Sequence, residues 1–165
     1  MITAVTNKEI ILRNKIVKLA LMQHYKHYSH GMHGPDIFDC AGFVWYVYYE
    51  ILGIDIYQDG VGLSTTTKIM TSQFGNIIYF EDGNMNKEWS IINRGDILLF
   101  HRQSLNEAEP KKNNKYPGHC GIYLGDNRFI HASRTKGHIA INSFEKSEYW
   151  VKKLVASIDI ISNIT

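Results

Sequence analysis

Two cysteines, Cys40 and Cys120, are all that this 165-residue chain contains, which excludes a disulfide-built scaffold. A bridge between them would silence a reactive Cys40 and is not expected. No stretch approaches the roughly 20 consecutive apolar residues that a membrane-spanning helix needs. Nor does the N-terminus read as a secretory signal, because Lys8, Arg13, Lys15 and Lys18 interrupt every candidate apolar core. Synthesis in the cytoplasm is therefore expected, unless a leader or a larger parent chain has been lost. Charge of one sign is also scarce: 18 Lys and Arg stand against 16 Asp and Glu, giving a net charge of +2 and a pI near 8.4. That balance is compatible with an anionic polymer as partner, and without a clustered basic stripe nucleic acid is not expected. What remains is an ordinary soluble composition, 44% hydrophobic and 21% charged. The length suggests one domain over residues 1–165, able to hide roughly two-thirds of its unfolded surface.

Helical signals come first along the chain. Thr6-Asn7-Lys8-Glu9 reads as a capping box, with Thr6 as cap and Glu9 returning to the cap amide. Val5 and Ile10 stand at the hydrophobic-staple positions. A helix should follow to about His24, with Leu12, Ile16, Leu19 and Ala20 on one face. Gly31 and Gly34-Pro35 then break the chain. Asp39 is a good N-cap for a second helix from Cys40 to about Leu52, ended by Gly53. This helix is apolar almost all round and belongs in the centre of a domain. A short third helix is expected from Thr65 to Met70.

The second half reads as strands, about Ile77–Phe80, Asp96–His101, His119–Leu124, Arg128–Ser133, His138–Ser143 and Leu154–Ile161. Residues 102–117 form a polar loop without periodicity, of a length that marks function or mobility. Helices first and strands second indicate an α+β fold, with N-terminal helices on an antiparallel sheet of about five to six strands.

Cys40 is the most informative residue. At the start of a helix its thiolate is favoured by the dipole, and its pKa falls below the free value of about 8.5. His119 and His131 lie on one hairpin. With a turn at Gly125-Asp126-Asn127, Leu124 pairs with Arg128, Gly121 faces His131, and His119 faces Ser133. Side-chain alternation then puts His119, Gly121 and Tyr123 on one face with Phe129, His131 and Ser133. The two histidines become diagonal neighbours at about 7–8 Å, with Gly121 leaving space between them. Cys120 points to the opposite face with Ile122 and Leu124, as a packed core thiol. A thiol, a base and an orienting group are the material of a cysteine hydrolase. His119 would take the thiol proton, His131 would hold His119, and the Cys40 amide would serve a developing oxyanion.

Three blocks carry a resemblance to the NlpC family of bacterial cell-wall cysteine peptidases. Tyr28-Ser29-His30-Gly31 with Asp39-Cys40-Ala41-Gly42-Phe43-Val44 resembles the family's tyrosine lead-in and D-C-S-G-F-V. Arg94-Gly95-Asp96-Ile97-Leu98-Leu99-Phe100 is similar to its G-D-L-V-x-F strand. Gly118-His119-Cys120-Gly121-Ile122-Tyr123-Leu124-Gly125 and Phe129-Ile130-His131-Ala132-Ser133 are similar to its H-V-G-I-Y-x-G and F-I-H-A pair. Leu63-Ser64-Thr65 also resembles the start of the short helix that follows in the family. The resemblance implies a papain-like fold, with Cys40 as nucleophile, His119 as base and His131 as the third residue. It further implies that Tyr28 lies near the oxyanion or substrate carbonyl, with Ala41 and Ser133 as substrate-side positions. The implied reaction is hydrolysis of peptidoglycan stem peptides, commonly between D-γ-glutamyl and a diamino acid. Ala41 replaces the usual Ser, Met32 a Gly, and Cys120 a Val; none of these removes a catalytic group.

Other motifs have ordinary explanations. His24, His27, His30 and His33 cross from a helix end into a loop and need not converge, so no metal and no cofactor are expected. Arg94-Gly95-Asp96 opens an apolar strand. A monomer acting on stem peptides is expected, reaching the wall after lysis, injection or export; an immunity, tail or secretion partner stays open. The rivals are an amidase or acyltransferase acting elsewhere, and a non-catalytic wall-binding or assembly module.

Overall fold

The computed structural model describes residues 5–56, 75–80, 89–101 and 118–165. The expected Thr65–Met70 helix and the 102–117 loop lie outside the described residues. Helix α1 runs Asn7–Met22, and the Thr6 hydroxyl accepts from the Glu9 amide at 3.1 Å. The return half of the capping box does not form. The Glu9 carboxylate instead accepts from Arg13 Nε at 2.9 Å and from the Ser162 hydroxyl at 3.2 Å, since a charged donor is the stronger partner.

Two short strands, β1 (His27–Tyr28) and β2 (Ile37–Phe38), pair in parallel where the sequence suggests only a break. Helix α2 runs Cys40–Leu52 and closes at Gly53 with φ 66°. Its cap has two tasks. Asp39 Oδ1 accepts from the Gly42 amide at 2.7 Å, and Oδ2 accepts from the Gly31 amide at 2.9 Å. One carboxylate thus fastens the lead-in loop to the helix start. Gly42 is required there, because a side chain would collide with the Met32 carbonyl.

The remaining strands are β3 (Asn76–Tyr79), β4 (Ile97–Phe100), β5 (His119–Gly125), β6 (Arg128–Ser133), β7 (His138–Ser143) and β8 (Leu154–Asp159). They form one sheet in the order β2-β1-β7-β6-β5-β4-β8-β3. It has eight strands rather than the five to six expected; the excess is β1 and β2, too short to show a period. Two short helices, α3 (Glu148–Lys153) and α4 (Ile161–Ile164), flank β8. The last strand therefore ends before Ile161. Among the described residues no helix is long and apolar enough to cross a membrane.

The β5–β6 ladder has the expected register, with Ile122 opposite Ile130 and Tyr123 opposite Phe129. The turn is tighter than expected. Gly125 pairs with Arg128, a bulge falls at Leu124, and Asp126 and Asn127 take φ of 51° and 55°, values that match a two-residue hairpin turn.

Two apolar clusters cover the sheet. Phe43, Val44, Val47 and Tyr48 of α2 pack with Ile16, Cys120, Ile122 and Ile130. Phe100, Phe129, Phe144 and Leu154 form the other cluster, joined by half-buried Trp150. Helix α2 is less enclosed than its composition suggests: Tyr49 is exposed and stacks on Trp45 at 5.0 Å.

A buried charge cluster holds the ends together. Arg13 on α1 donates to Asp96 Oδ1 at 2.8 Å, to both oxygens of Asp159 at 2.9 and 2.8 Å, and to the Arg94 carbonyl at 3.1 Å. Burial and the neighbouring Asp159 push Asp96 up to about 7, against the pull of Arg13.

Candidate active site

Cys40 is the first residue of α2 and half-buried. Its thiol is shifted well below its usual pKa. The largest cause is a hydrogen bond from Cys120; burial opposes the shift, while the His119 imidazole and the Ala41 amide add to it. The helix start enters only through the Ala41 amide, the smallest of these causes, and the first comes from Cys120 on β5. Cys120 is fully buried with Ile122 and Leu124, as expected. Its sulfur nevertheless lies 3.1 Å from the Cys40 carbonyl oxygen, so its one S–H donates to that oxygen or turns to the Cys40 sulfur when that sulfur is a thiolate. The core face of β5 is also the face against which α2 packs, so the core thiol belongs to the site.

His119 opens β5, where the strand begins beside Cys40. Its Nε2 lies 2.8 Å from Nδ1 of His131, with the rings at 89°. Gly121 makes this approach possible: a Cβ there would sit 2.7 Å from the Ile130 carbonyl oxygen and 3.1 Å from His131 Cβ. His131 is 1% exposed. Burial first, then the charge of His119, holds it down at about 3, so it is neutral at physiological pH.

Two further residues complete the arrangement. His131 Nε2 lies 3.0 Å from Oδ1 of Asn142. Asn142 sits on β7, which pairs with β6 so that Ala140 faces His131 and Asn142 faces Phe129. That register makes Asn142 a diagonal neighbour of His131, a relation the strand pattern contained once the β6–β7 pairing was known. Trp150 of α3 packs on both imidazoles, with centroids 4.9 Å from His131 and 5.9 Å from His119. The six residues of α3 carry Glu148 in the first turn and Lys152 and Lys153 in the last, a charge order that suits the helix dipole.

Tyr28 on β1 is close enough to Cys40 and Asp39 for their charges, after burial, to raise its hydroxyl pKa. Ala41 meets the Cys40 sulfur through its backbone amide. Ser133 is buried, and its hydroxyl accepts from the Lys136 amide at 3.2 Å within the β6–β7 turn. The structure thus brings together Cys40, His119, His131 and Tyr28, and turns the Ser133 hydroxyl toward the turn. Of the recurring histidines, His24 stacks on Tyr25 at 3.9 Å and His33 meets Trp45 edge-on at 6.1 Å. Among the described residues no three His, Cys, Asp or Glu side chains converge as a metal site.

Comparison with known proteins decides the family. The model of the NlpC/P60 family matches residues 25–159. The chain belongs to the NlpC/P60 family. Its papain-like fold, a curled mixed sheet with few helices, is therefore that of an NlpC/P60 domain. Murein DD-endopeptidase MepH of Escherichia coli K12 is 28% identical over 120 residues, 73% of this chain and 35% of that protein. Gamma-DL-glutamyl hydrolase of Bacillus subtilis 168 is 28% identical over 123 residues, 74% of this chain and 22% of that protein. The chain therefore spans about a third or less of these two relatives. Among solved structures, NlpC1 from Trichomonas vaginalis matches 93% of this chain and 45% of its own, with TM-score 0.54 and 25% identity.

Proposed function

We propose that this NlpC/P60 chain is a cysteine peptidase that hydrolyses peptide bonds in peptidoglycan stem peptides, with D-γ-glutamyl–diamino acid as the bond cut. The observation that carries this reading is a thiol with a lowered pKa beside His119, which is in turn held by His131 at 2.8 Å. Only a thiolate attacks an amide carbonyl well. Cys40 Sγ would add to the carbonyl carbon, with the oxyanion received by the Cys40 backbone amide and Tyr28 beside it. His119 would then pass its proton to the leaving amine, freeing one peptide and leaving an acyl thioester on Cys40. Water, deprotonated by His119, would hydrolyse the thioester and restore the thiolate. The names of the relatives support a murein stem peptide as substrate: the gamma-DL-glutamyl hydrolase agrees with a γ-glutamyl bond, and the murein DD-endopeptidase makes a DD cross-link the competing bond.

The test is mass spectrometry of fragments released from purified cell walls of differing stem composition. The chain should release stem-peptide fragments cut after D-γ-glutamyl, and Cys40→Ala should abolish release with its thermal melt unchanged. Thioester formation without wall cleavage would instead identify an amidase or acyltransferase acting elsewhere. Wall binding that survives Cys40→Ala, with no cleavage by either form, would identify a binding module.

A further inference from the structure

We propose that Asn142 is a positioning residue that sets which ring nitrogens of His131 and His119 carry hydrogen, leaving the His119 nitrogen that faces Cys40 free to take the thiol proton. This rests on the peptidase reading for its purpose, but not for its measurement.

Asn142 Oδ1 lies 3.0 Å from His131 Nε2. A carbonyl oxygen only accepts, so the hydrogen of this contact belongs to Nε2. A neutral imidazole carries one N–H and one lone pair, and His131, sealed at 1% exposure, stays neutral. Its Nδ1 is therefore bare. The partner of Nδ1, at 2.8 Å, is His119 Nε2. Two lone pairs do not share a contact of that length, so His119 Nε2 carries the hydrogen and donates. His119 then offers its remaining nitrogen, Nδ1, as a lone pair to the Cys40 thiol, the form a general base requires.

Reversing the Asn142 amide reverses each step. An NH2 group facing His131 Nε2 would demand a lone pair there. The hydrogen of His131 would move to Nδ1, and that of His119 to its own Nδ1. Neutral His119 would then face the sulfur with an N–H and have no lone pair there to take the thiol proton. The observed order also survives proton transfer. When His119 accepts the thiol proton on Nδ1, its Nε2 still donates and His131 need not change. Trp150 and Phe129 pack on the His131 ring at 4.9 and 5.2 Å, holding its orientation while leaving the choice of nitrogen to Asn142.

The experiment compares the full-length wild-type chain with Asn142→Leu and Asn142→Asp, using nitrogen-15 histidine NMR at pH 7. Iodoacetamide alkylation of Cys40 against pH and wall cleavage accompany it. In the wild type, His131 should show the Nε2–H form alone. Asn142→Leu should show both forms, slower alkylation near pH 7, and kcat lower by about tenfold with little change in KM, the size of one lost hydrogen bond. Asn142→Asp, which also only accepts, should restore the Nε2–H form and most of kcat. His131 in the Nδ1–H form in the wild type would overturn the proposal, even if neither variant folds. So would an Asn142→Leu spectrum and alkylation profile identical to wild type. The spectrum reads the hydrogen position whether or not walls are cut, so failure of the peptidase reading is seen separately.

Discussion

The sulfur of Cys120 lies against Cys40, 3.1 Å from its carbonyl oxygen, and Cys120 is the largest single cause of the low Cys40 pKa. A residue that pattern alone assigns to the core thus acts on the thiol at the helix start. Cys120→Val keeps an apolar side chain of similar size in the α2-facing core and removes the S–H donor. The Cys40 pKa should rise, and iodoacetamide alkylation near pH 7 should slow by about fivefold, with the melting temperature little changed. An unchanged alkylation profile would reduce Cys120 to packing.

Gly121 sets the separation of the two imidazole-bearing strands. Its Cα faces the Ile130 carbonyl so closely that an added methyl would stand 2.7 Å from that oxygen. Gly121→Ala should destabilise the fold by about 1–3 kcal/mol through overpacking. It should also cut wall cleavage more than tenfold, because the His119–His131 contact must lengthen. Thermal melts and cleavage rates measured together check this; wild-type values for both would show that the strands yield without disturbing the rings.

Acid should weaken the fold partly through His131. Its pKa is about 3 in the folded chain, against an ordinary 6.5. The unfolded chain therefore binds a proton between these values that the folded chain refuses. The contribution is fully present above about pH 6.5 and is lost as pH falls toward 3, at up to about 1.4 kcal/mol per unit. Asp96 works in the opposite sense. Its pKa is raised from 3.8 to about 7, so its contribution is present below 3.8 and lost as pH rises through 7. Urea midpoints at pH 6.5 and 4.5 separate the two: His131→Gln should lose less stability on acidification than wild type. Equal slopes would mean that His131 accepts its proton in place.

The sequence carried the parts of this site that depend on local pattern. Period-two alternation placed His119, Gly121 and His131 on one face, and Asp39 announced the helix that begins at Cys40. What it withheld depends on pairings between distant segments. Asn142 reads as an ordinary polar strand residue until β7 is registered on β6. Trp150 lies on a six-residue helix hidden between two strands. Strands of two residues have no period, so β1 and β2, and with them the eight-stranded extent of the sheet, were illegible. Glu9 departs from the capping box for a related reason: that box is a local rule, and Arg13 draws the carboxylate away.

The Arg13 cluster bears on where this fold ends. The family match spans residues 25–159, which leaves out Arg13 at one end and Ser162, which bonds to it at 3.0 Å, at the other. Trimming the chain to the matched segment would leave Asp96 and Asp159 side by side in the interior without their shared cation. Such a fragment would keep every residue of the proposed reaction and still lack the counter-charge on which the sheet beneath them closes.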